Sequence, residues 1–283
     1  MKRCKETYKV LTIAGSDPSG GAGIQADIKT ITALGGYAAS AITALTIQNT
    51  LGVRGIYTIP STIVSQQIEV VMEDIAPKSV KIGMVKDAEI IACIAESIMK
   101  YKPTFIVYDP VMISTSGHKL IEDNVIECIE KKLIPSVTLI TPNLHEAEVL
   151  LRKKIATFSE MENAAKKLAL QYHVGVLIKG GHIDADVMCD ILAFPDGNIK
   201  YFTDAKIESH NLHGTGCTLS SAIATFVAQS LVTNNADITN DMLISSISKA
   251  KRYVTAAIRE GSKRNIGEGN GPIWHLNKEC HKK

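Results

Sequence analysis

A doubly wound α/β domain is the fold this sequence predicts: a mostly parallel central sheet with helices on both faces and small β-hairpin additions. Two observations predict it. Short apolar runs of strand length alternate with stretches of helical periodicity over nearly all of the 283 residues, and no proline-rich or low-complexity linker interrupts them. A third observation concerns function. Gly15, Gln48, Asp109, Asn143 and Lys179 fall at the ends of predicted strands, where open α/β sheets hold their ligands. The expected unit is one domain spanning 1–283, with 1–8 and 277–283 as flexible ends.

The elements follow in chain order. Residues 9–14 form an apolar strand that stops at Gly15 and enters a glycine loop over 16–23, after which Ile24, Ile28, Ile31 and Leu34 share one helical face. Gly15 and Gly20 have the separation of a P-loop, but Gly21 and Ala22 stand where its Lys and Ser/Thr belong. No third glycine follows Gly21 and Gly23 at the spacing of a dinucleotide fingerprint. Residues 38–47 read as a second buried strand ending in Gln48, and 53–59 as a short one stopped by Pro60. Ser61 or Thr62 caps a helix to about 75, followed by a strand at 80–84 and a helix at 88–99. Asp109 ends the next strand just before Pro110, as a carboxylate at the sheet rim or as a simple turn aspartate.

A helix at 122–132 and a strand at 137–141 lead to Pro142, which fits a first helical turn and sets Asn143 and Glu146 at a helix start. A carboxylate there holds water or a metal ion, or only complements the helix dipole. After a helix at 159–171, the strand 174–182 carries Lys179, Gly180, Gly181 and His182 at its end. Lys179 is placed to meet a phosphate, or to snorkel. Residues 187–194 and 199–203 flank Pro195-Asp-Gly-Asn198 as a β-hairpin, and a helix at 241–259 precedes a glycine-rich end at 267–272.

Between them lies the stretch Asn211-Leu-His-Gly-Thr-Gly-Cys-Thr218, running into a helix with Ala222, Ile223, Phe226, Val227 and Leu231 at helical period. Gly214, Thr215 and Gly216 then sit at a helix N-terminus, where free N–H groups and the helix dipole favour an anion. Cys217 would feel the same field, so its thiol should ionise more easily than a free one. The other reading is a tight loop with a buried, inert cysteine.

Composition narrows the classes. A hydrophobic fraction of 45% with 21% charged residues fits a globular domain with a large core, and a net charge of +2 shows no basic excess for nucleic acid. No signal peptide and no apolar run of membrane-spanning length is read, which suggests a cytoplasmic protein without a membrane partner. Cys4, Cys93, Cys128, Cys189, Cys217 and Cys280 are far apart and make no metal or redox spacing.

Taken together, Thr12-Ile-Ala-Gly-Ser-Asp-Pro-Ser-Gly-Gly-Ala-Gly-Ile-Gln-Ala-Asp27, Gln48-Asn-Thr50, Lys81-Ile-Gly-Met84, Asp109-Pro-Val-Met112, Thr141-Pro-Asn143 with Glu146, Lys179-Gly-Gly-His182 and His213-Gly-Thr-Gly-Cys-Thr218 closely resemble the bacterial hydroxymethylpyrimidine/phosphomethylpyrimidine kinases of the ribokinase-like superfamily. The resemblance implies two ATP-dependent phosphorylations in thiamine biosynthesis, of 4-amino-5-hydroxymethyl-2-methylpyrimidine and then of its monophosphate, with Mg²⁺ and a homodimer. It puts Gly15, Asp27, Gln48, Met84 and Val111 around the pyrimidine. It gives the nucleotide to Asn143, Lys179, Gly214, Thr215 and Gly216, the magnesium to Asp109 and Glu146, and catalysis to Cys217 with Lys179. Sugar kinases of the superfamily carry an aspartate base where Cys217 stands. Leu212 replaces the usual threonine, His145 stands where proline is common, and 271–275 is a variant tail. Pyridoxal or pyridoxine kinase activity, and a non-catalytic ligand-binding member of the fold, are the competing readings.

Overall fold

The computed structural model describes residues 6–112, 122–180, 187–234 and 237–277. Gly181 and His182 of the lysine motif, Cys4 and Cys280, and the outermost residues of both ends lie outside these. The strands are β1 (Lys9–Ser16), β2 (Tyr37–Asn49), β3 (Gly52–Thr58), β4 (Ser79–Ile82), β5 (Phe105–Tyr108), β6 (Leu139–Ile140), β7 (Gly175–Ile178), β8 (Val187–Ala193) and β9 (Ile199–Ala205). The helices are α1 (Gly23–Ala33), α2 (Ser61–Asp74), α3 (Ala88–Tyr101), α4 (Asp123–Cys128), α5 (Leu144–Leu151), α6 (Phe158–Tyr172), α7 (Thr215–Asn234) and α8 (Asn240–Gly261).

Among the described residues the strands form one sheet in the order β3-β2-β1-β4-β5-β6-β7-β8-β9. β2 through β7 in that order run parallel, and β3, β8 and β9 are antiparallel additions. The chain winds outward in both directions from β1, so the strand order reverses between β1 and β4, opening a crevice at their carboxyl ends. Two-residue periodicity divides the core. Leu11, Ile13, Val80, Ile82, Ile106 and Tyr108 pack on the α2–α6 side, whereas Val10, Phe105, Val107 and Leu177 pack on the side of α1, α7 and α8.

Several expectations are corrected. Strand 38–47 is not buried throughout: the last β1 pairing is Ser16 with Leu45, so the end of the longer β2 overhangs with only β3 beside it. Ser61 and Thr62 lie inside α2, which Pro60 precedes without a side-chain cap. Pro142 lies outside α5, and Asn143 is the N-cap. The apolar stretch Thr215–Thr233 is in fact long and apolar enough to cross a membrane, at 19 residues and mean hydropathy 1.3, yet 61% of it is buried inside the protein. A helix apolar all round is what a central position demands, and α7 packs between the sheet, α1 and α8. Within the described residues, the inner margins of both ends make contacts. The Tyr8 hydroxyl donates to the Leu34 carbonyl, and Asn277 is buried with its amide donating to Trp274 O.

Candidate active site

Parallel strands with short exits bring their following residues to one rim, and there the structure assembles a charged cluster. Lys179, just past β7, places Nζ 2.9 Å from Asp109 Oδ1, just past β5. The Thr141 hydroxyl donates to the same oxygen at 3.1 Å. Asn143 caps α5 by accepting from the Glu146 N–H at 2.9 Å, while Glu146 Oε2 accepts from the Asn143 N–H at 2.8 Å. This reciprocal capping box holds Glu146 buried near Asp109 and Lys179. Burial lifts the Glu146 carboxyl above its usual range; Lys179 opposes the shift and Asp109 adds to it. Burial works against the Lys179 ammonium, but Asp109 and Glu146 outweigh it and raise its pKa.

The glycine turn closes over this cluster. A Cβ on Gly216 would lie 3.3 Å from Asp109 Oδ2 and 3.5 Å from Lys179 Nζ, so the start of α7 faces the pair with only backbone between. Gly214 has φ +83°, and a Cβ there would fall 1.7 Å from the Gly21 carbonyl oxygen, which no side chain tolerates. The turn is thereby pressed onto the 16–23 loop. The tail completes the clamp: the His213 N–H donates to Gly271 O, and the Trp274 N–H to Ala257 O. Next to the cluster a cleft of about 400 Å³ is lined by Asn143, Lys179 and Gly216, by the charged Asp190, Asp204, Lys206 and Lys251, and by the apolar Leu219, Val254 and Ile258. That lining offers polar and charged groups for an anion beside apolar side chains.

The second group of expected residues lies across the turn. Gly15 packs so close to Met84 that a Cβ would meet Cε at 2.7 Å. Strand alternation turns Ala44, Thr46 and Gln48 to one face of β2 and Leu45 and Ile47 to the other, and Thr46 donates to Ser16 O. Val111, half-buried, follows Asp109 after Pro110. Asp27 is placed differently from its expected position around a ligand: it is fully buried, accepting from Thr12 and Ser221 and paired with Lys81 at 2.7 Å. Both oxygens of a carboxylate so enclosed are taken up by protein partners.

Cys217 also departs from expectation. Its thiol is pushed up to about 11 rather than down. Burial dominates; Lys81 and the Gly23 N–H favour the thiolate, and Asp27 and Asp109 disfavour it.

Three residues inside the quoted motifs had been given no role. Asp17 accepts from the Ser19 N–H and hydroxyl, the Ala22 N–H and His213 Nε2, the last at 2.8 Å. Burial alone would raise its pKa, but these hydrogen bonds, His213 first, hold it well below the usual carboxylate range. An ionised carboxylate only accepts, so His213 Nε2 carries the proton. Gln48 Nε2 lies 3.2 Å from that same ring nitrogen, so the Gln48 amide stands beside the His213–Asp17 pair. Lys81 is the third: a charge inside an apolar strand must be paired, which was the available signal. Asp17 announces itself only as an Asx-turn residue before Pro18.

The sequence profile described as phosphomethylpyrimidine kinase matches residues 17–274. The chain belongs to the phosphomethylpyrimidine kinase family. A hydroxymethylpyrimidine/phosphomethylpyrimidine kinase of Rhizobium meliloti is 40% identical over 96% of the chain and 98% of its own length. The thiamine biosynthesis bifunctional protein ThiED of Geobacter sulfurreducens is 44% identical over 94% of the chain, which spans about half (52%) of that longer protein. Among solved structures, the phosphomethylpyrimidine kinase of Clostridium difficile 630 has 42% identity and a TM-score of 0.76, covering 89% of this chain and 100% of its own. A Staphylococcus aureus pyridoxal kinase in complex with AMP-PCP has a TM-score of 0.85 at 29% identity, covering 97% and 95%. The ribokinase-like architecture is thus common to both kinase types, while sequence similarity favours the phosphomethylpyrimidine kinases. Two family departures are placed by the structure. Leu212 is exposed and borders the cleft, with its carbonyl accepting from the Thr215 hydroxyl, and His145 lies on the surface beside Glu148.

Proposed function

We propose that this kinase transfers the γ-phosphoryl group of ATP to the hydroxyl of 4-amino-5-hydroxymethyl-2-methylpyrimidine and then to the resulting monophosphate. One observation carries the reading beyond family membership. The start of α7 brings Gly216 against the Lys179–Asp109 pair, with Cys217 next in the chain, and both Gly216 and Lys179 border the cleft. The nucleotide would lie in the cleft, its phosphates on the N–H groups of 214–217 and on Lys179, with Asn143 beside them. The pyrimidine would lie against Gly15, Met84 and Val111, over the buried Asp27. Cys217, between the two, would accept the hydroxyl proton.

Mg²⁺ fits the donor set. Asp109 and Glu146 offer hard carboxylate oxygens, and among the described residues no three of His, Cys, Asp and Glu gather to enclose a metal. That suits an ion held by one or two carboxylates together with substrate phosphates and waters. When bound, Mg²⁺ supplies charge neutralisation on the phosphate oxygens. A substrate panel with Mg·ATP tests the function: turnover should be highest with the pyrimidine alcohol and its monophosphate. Preference for pyridoxal would support the second reading, and no turnover with any alcohol a binding protein.

Gln48, beside His213 and Asp17, would pair with the polar edge of the pyrimidine. Gln48→Ala should weaken pyrimidine binding by about 1 to 3 kcal/mol, the cost of a lost buried partner, and leave ATP affinity nearly unchanged. Equal losses for both ligands, measured by titration calorimetry, would make Gln48 a fold residue.

A homodimer is part of the proposal. Leu45, Ile47 and Tyr57 are 44%, 64% and 64% exposed. Leu45 pairs with Tyr57 across β2 and β3, and Ile47 with Gly55, so these apolar side chains share one outer face, as interaction surfaces do. Ile47→Lys should shift the chain from two copies to one in sedimentation equilibrium; a monomeric parent protein would end the idea. A cytosolic setting agrees with the unpaired thiols of Cys93, Cys128, Cys189 and Cys217.

A further inference from the structure

Asp190 is a buried carboxylate that the proposed chemistry does not use. It lies in β8 at 5% exposure, flanked by Cys189 and the fully buried Ile191. Its Oδ2 pairs with Lys251 of α8 at 2.5 Å, and Asp204 of β9 approaches the same ammonium at 3.4 Å. Such a pair is a poor stabiliser, since apolar residues of similar volume usually do as well or better. Its other oxygen has a more specific task. Asp190 Oδ1 accepts the N–H of Gly180 at 2.9 Å, in a buried position.

Gly180 follows Lys179 directly, and the β7–β8 ladder has its last pair at Ile178 and Ile191. Beyond that rung the Asp190 side chain takes over the hydrogen bonding of the exit. On the other side of Lys179, its own N–H donates to Pro142 O at 3.0 Å. The two peptide groups flanking the Lys179 Cα are therefore anchored, one to the exit of β6 and one to Asp190. Gly180 is also pressed against β8: a Cβ would fall 1.8 Å from the Cys189 carbonyl oxygen and 2.8 Å from Met161 Cε. Lys251 holds Asp190 in place from α8, and Lys179, Asp190 and Lys251 all border the same cleft.

We propose that Asp190, held by Lys251, is a positioning residue that fixes the exit of β7 so that Lys179 reaches the phosphates in the cleft. The inference rests on the proposed nucleotide role of that cleft. Side-chain placement at a transfer site matters steeply, a displacement of about 1 Å costing up to roughly 10²-fold.

The test separates the hydrogen bond from the charges. Asp190→Asn with Lys251→Met removes both charges and keeps an acceptor for Gly180; Asp190→Leu with Lys251→Met removes the acceptor while keeping apolar volume. The second pair should lose at least about tenfold more turnover than the first. It should also bind ATP more weakly, and expose the Gly180 amide to hydrogen exchange. The KM for the pyrimidine should move little in either. ATP affinity and amide exchange need no acceptor alcohol, so they report on Asp190 even if the pyrimidine proves not to be the substrate. Equal losses in the two pairs, or wild-type ATP affinity and turnover in the leucine pair, would overturn the proposal. If the leucine pair does not fold, Asp190→Ser with Lys251→Met, with its shorter acceptor, takes its place under the same criteria.

Discussion

Cys217→Ala lowers the single-turnover rate of the first phosphorylation by about 10²- to 10⁴-fold, the range of a lost acid–base group, and leaves ATP binding intact. Binding survives because the turn is held by backbone: Gly214 against Gly21, and His213 against Gly271. The loss is chemical. With its thiol at about 11, Cys217 carries a thiolate in on the order of one molecule in 10⁴ at pH 7. If the thiolate takes the hydroxyl proton, the wild-type first step should accelerate roughly tenfold per pH unit below that pKa, and the alanine variant should lose the slope. The second step behaves differently, because the monophosphate is anionic near neutral pH and needs little base. Cys217→Asp should restore part of the first-step rate. Recovery is partial because burial and the neighbouring Asp27 and Asp109, which already disfavour the thiolate, disfavour a carboxylate charge too. Full first-step turnover in the alanine variant would leave Cys217 as a packed thiol with no part in transfer.

Lys179→Ala slows both transfers, by roughly 10²- to 10³-fold for the alcohol, and by a larger factor for the monophosphate. The ammonium lies 2.9 Å from Asp109 Oδ1, and Glu146 is buried close by. Removing it takes away a cation and leaves two carboxylates facing incoming phosphates. In the first step one polyanion meets that negative wall; in the second, two anionic reactants meet there and their mutual repulsion is no longer offset. Parallel single-turnover measurements decide it, and rates that fall in the same proportion would refute the charge argument. Higher ionic strength should narrow the difference only slightly, because buried charges are weakly screened.

What the sequence alone determined was periodicity and punctuation. Apolar runs with helical stretches between them placed the strands and helices to within a few residues, and with them the positions of Gly15, Gln48, Asp109, Asn143 and Lys179 at strand exits. That much is local chemistry: side-chain alternation, caps and glycines act within a few residues of where they stand. The tertiary structure decided which of these residues meet and what surrounds each. Asp109 and Lys179, 70 residues apart, share a hydrogen bond. Asp27 is enclosed by Thr12, Lys81 and Ser221, and Asp17 reaches His213 from another loop. Cys217 shows the divide most clearly. Its place at a helix start is written in Gly214-Thr-Gly216, and the dipole alone favours a thiolate. In the fold its sulfur is packed against Lys81 and within reach of the charges of Asp27 and Asp109, and desolvation, which depends on every element packed around it, outweighs the favourable local contributions.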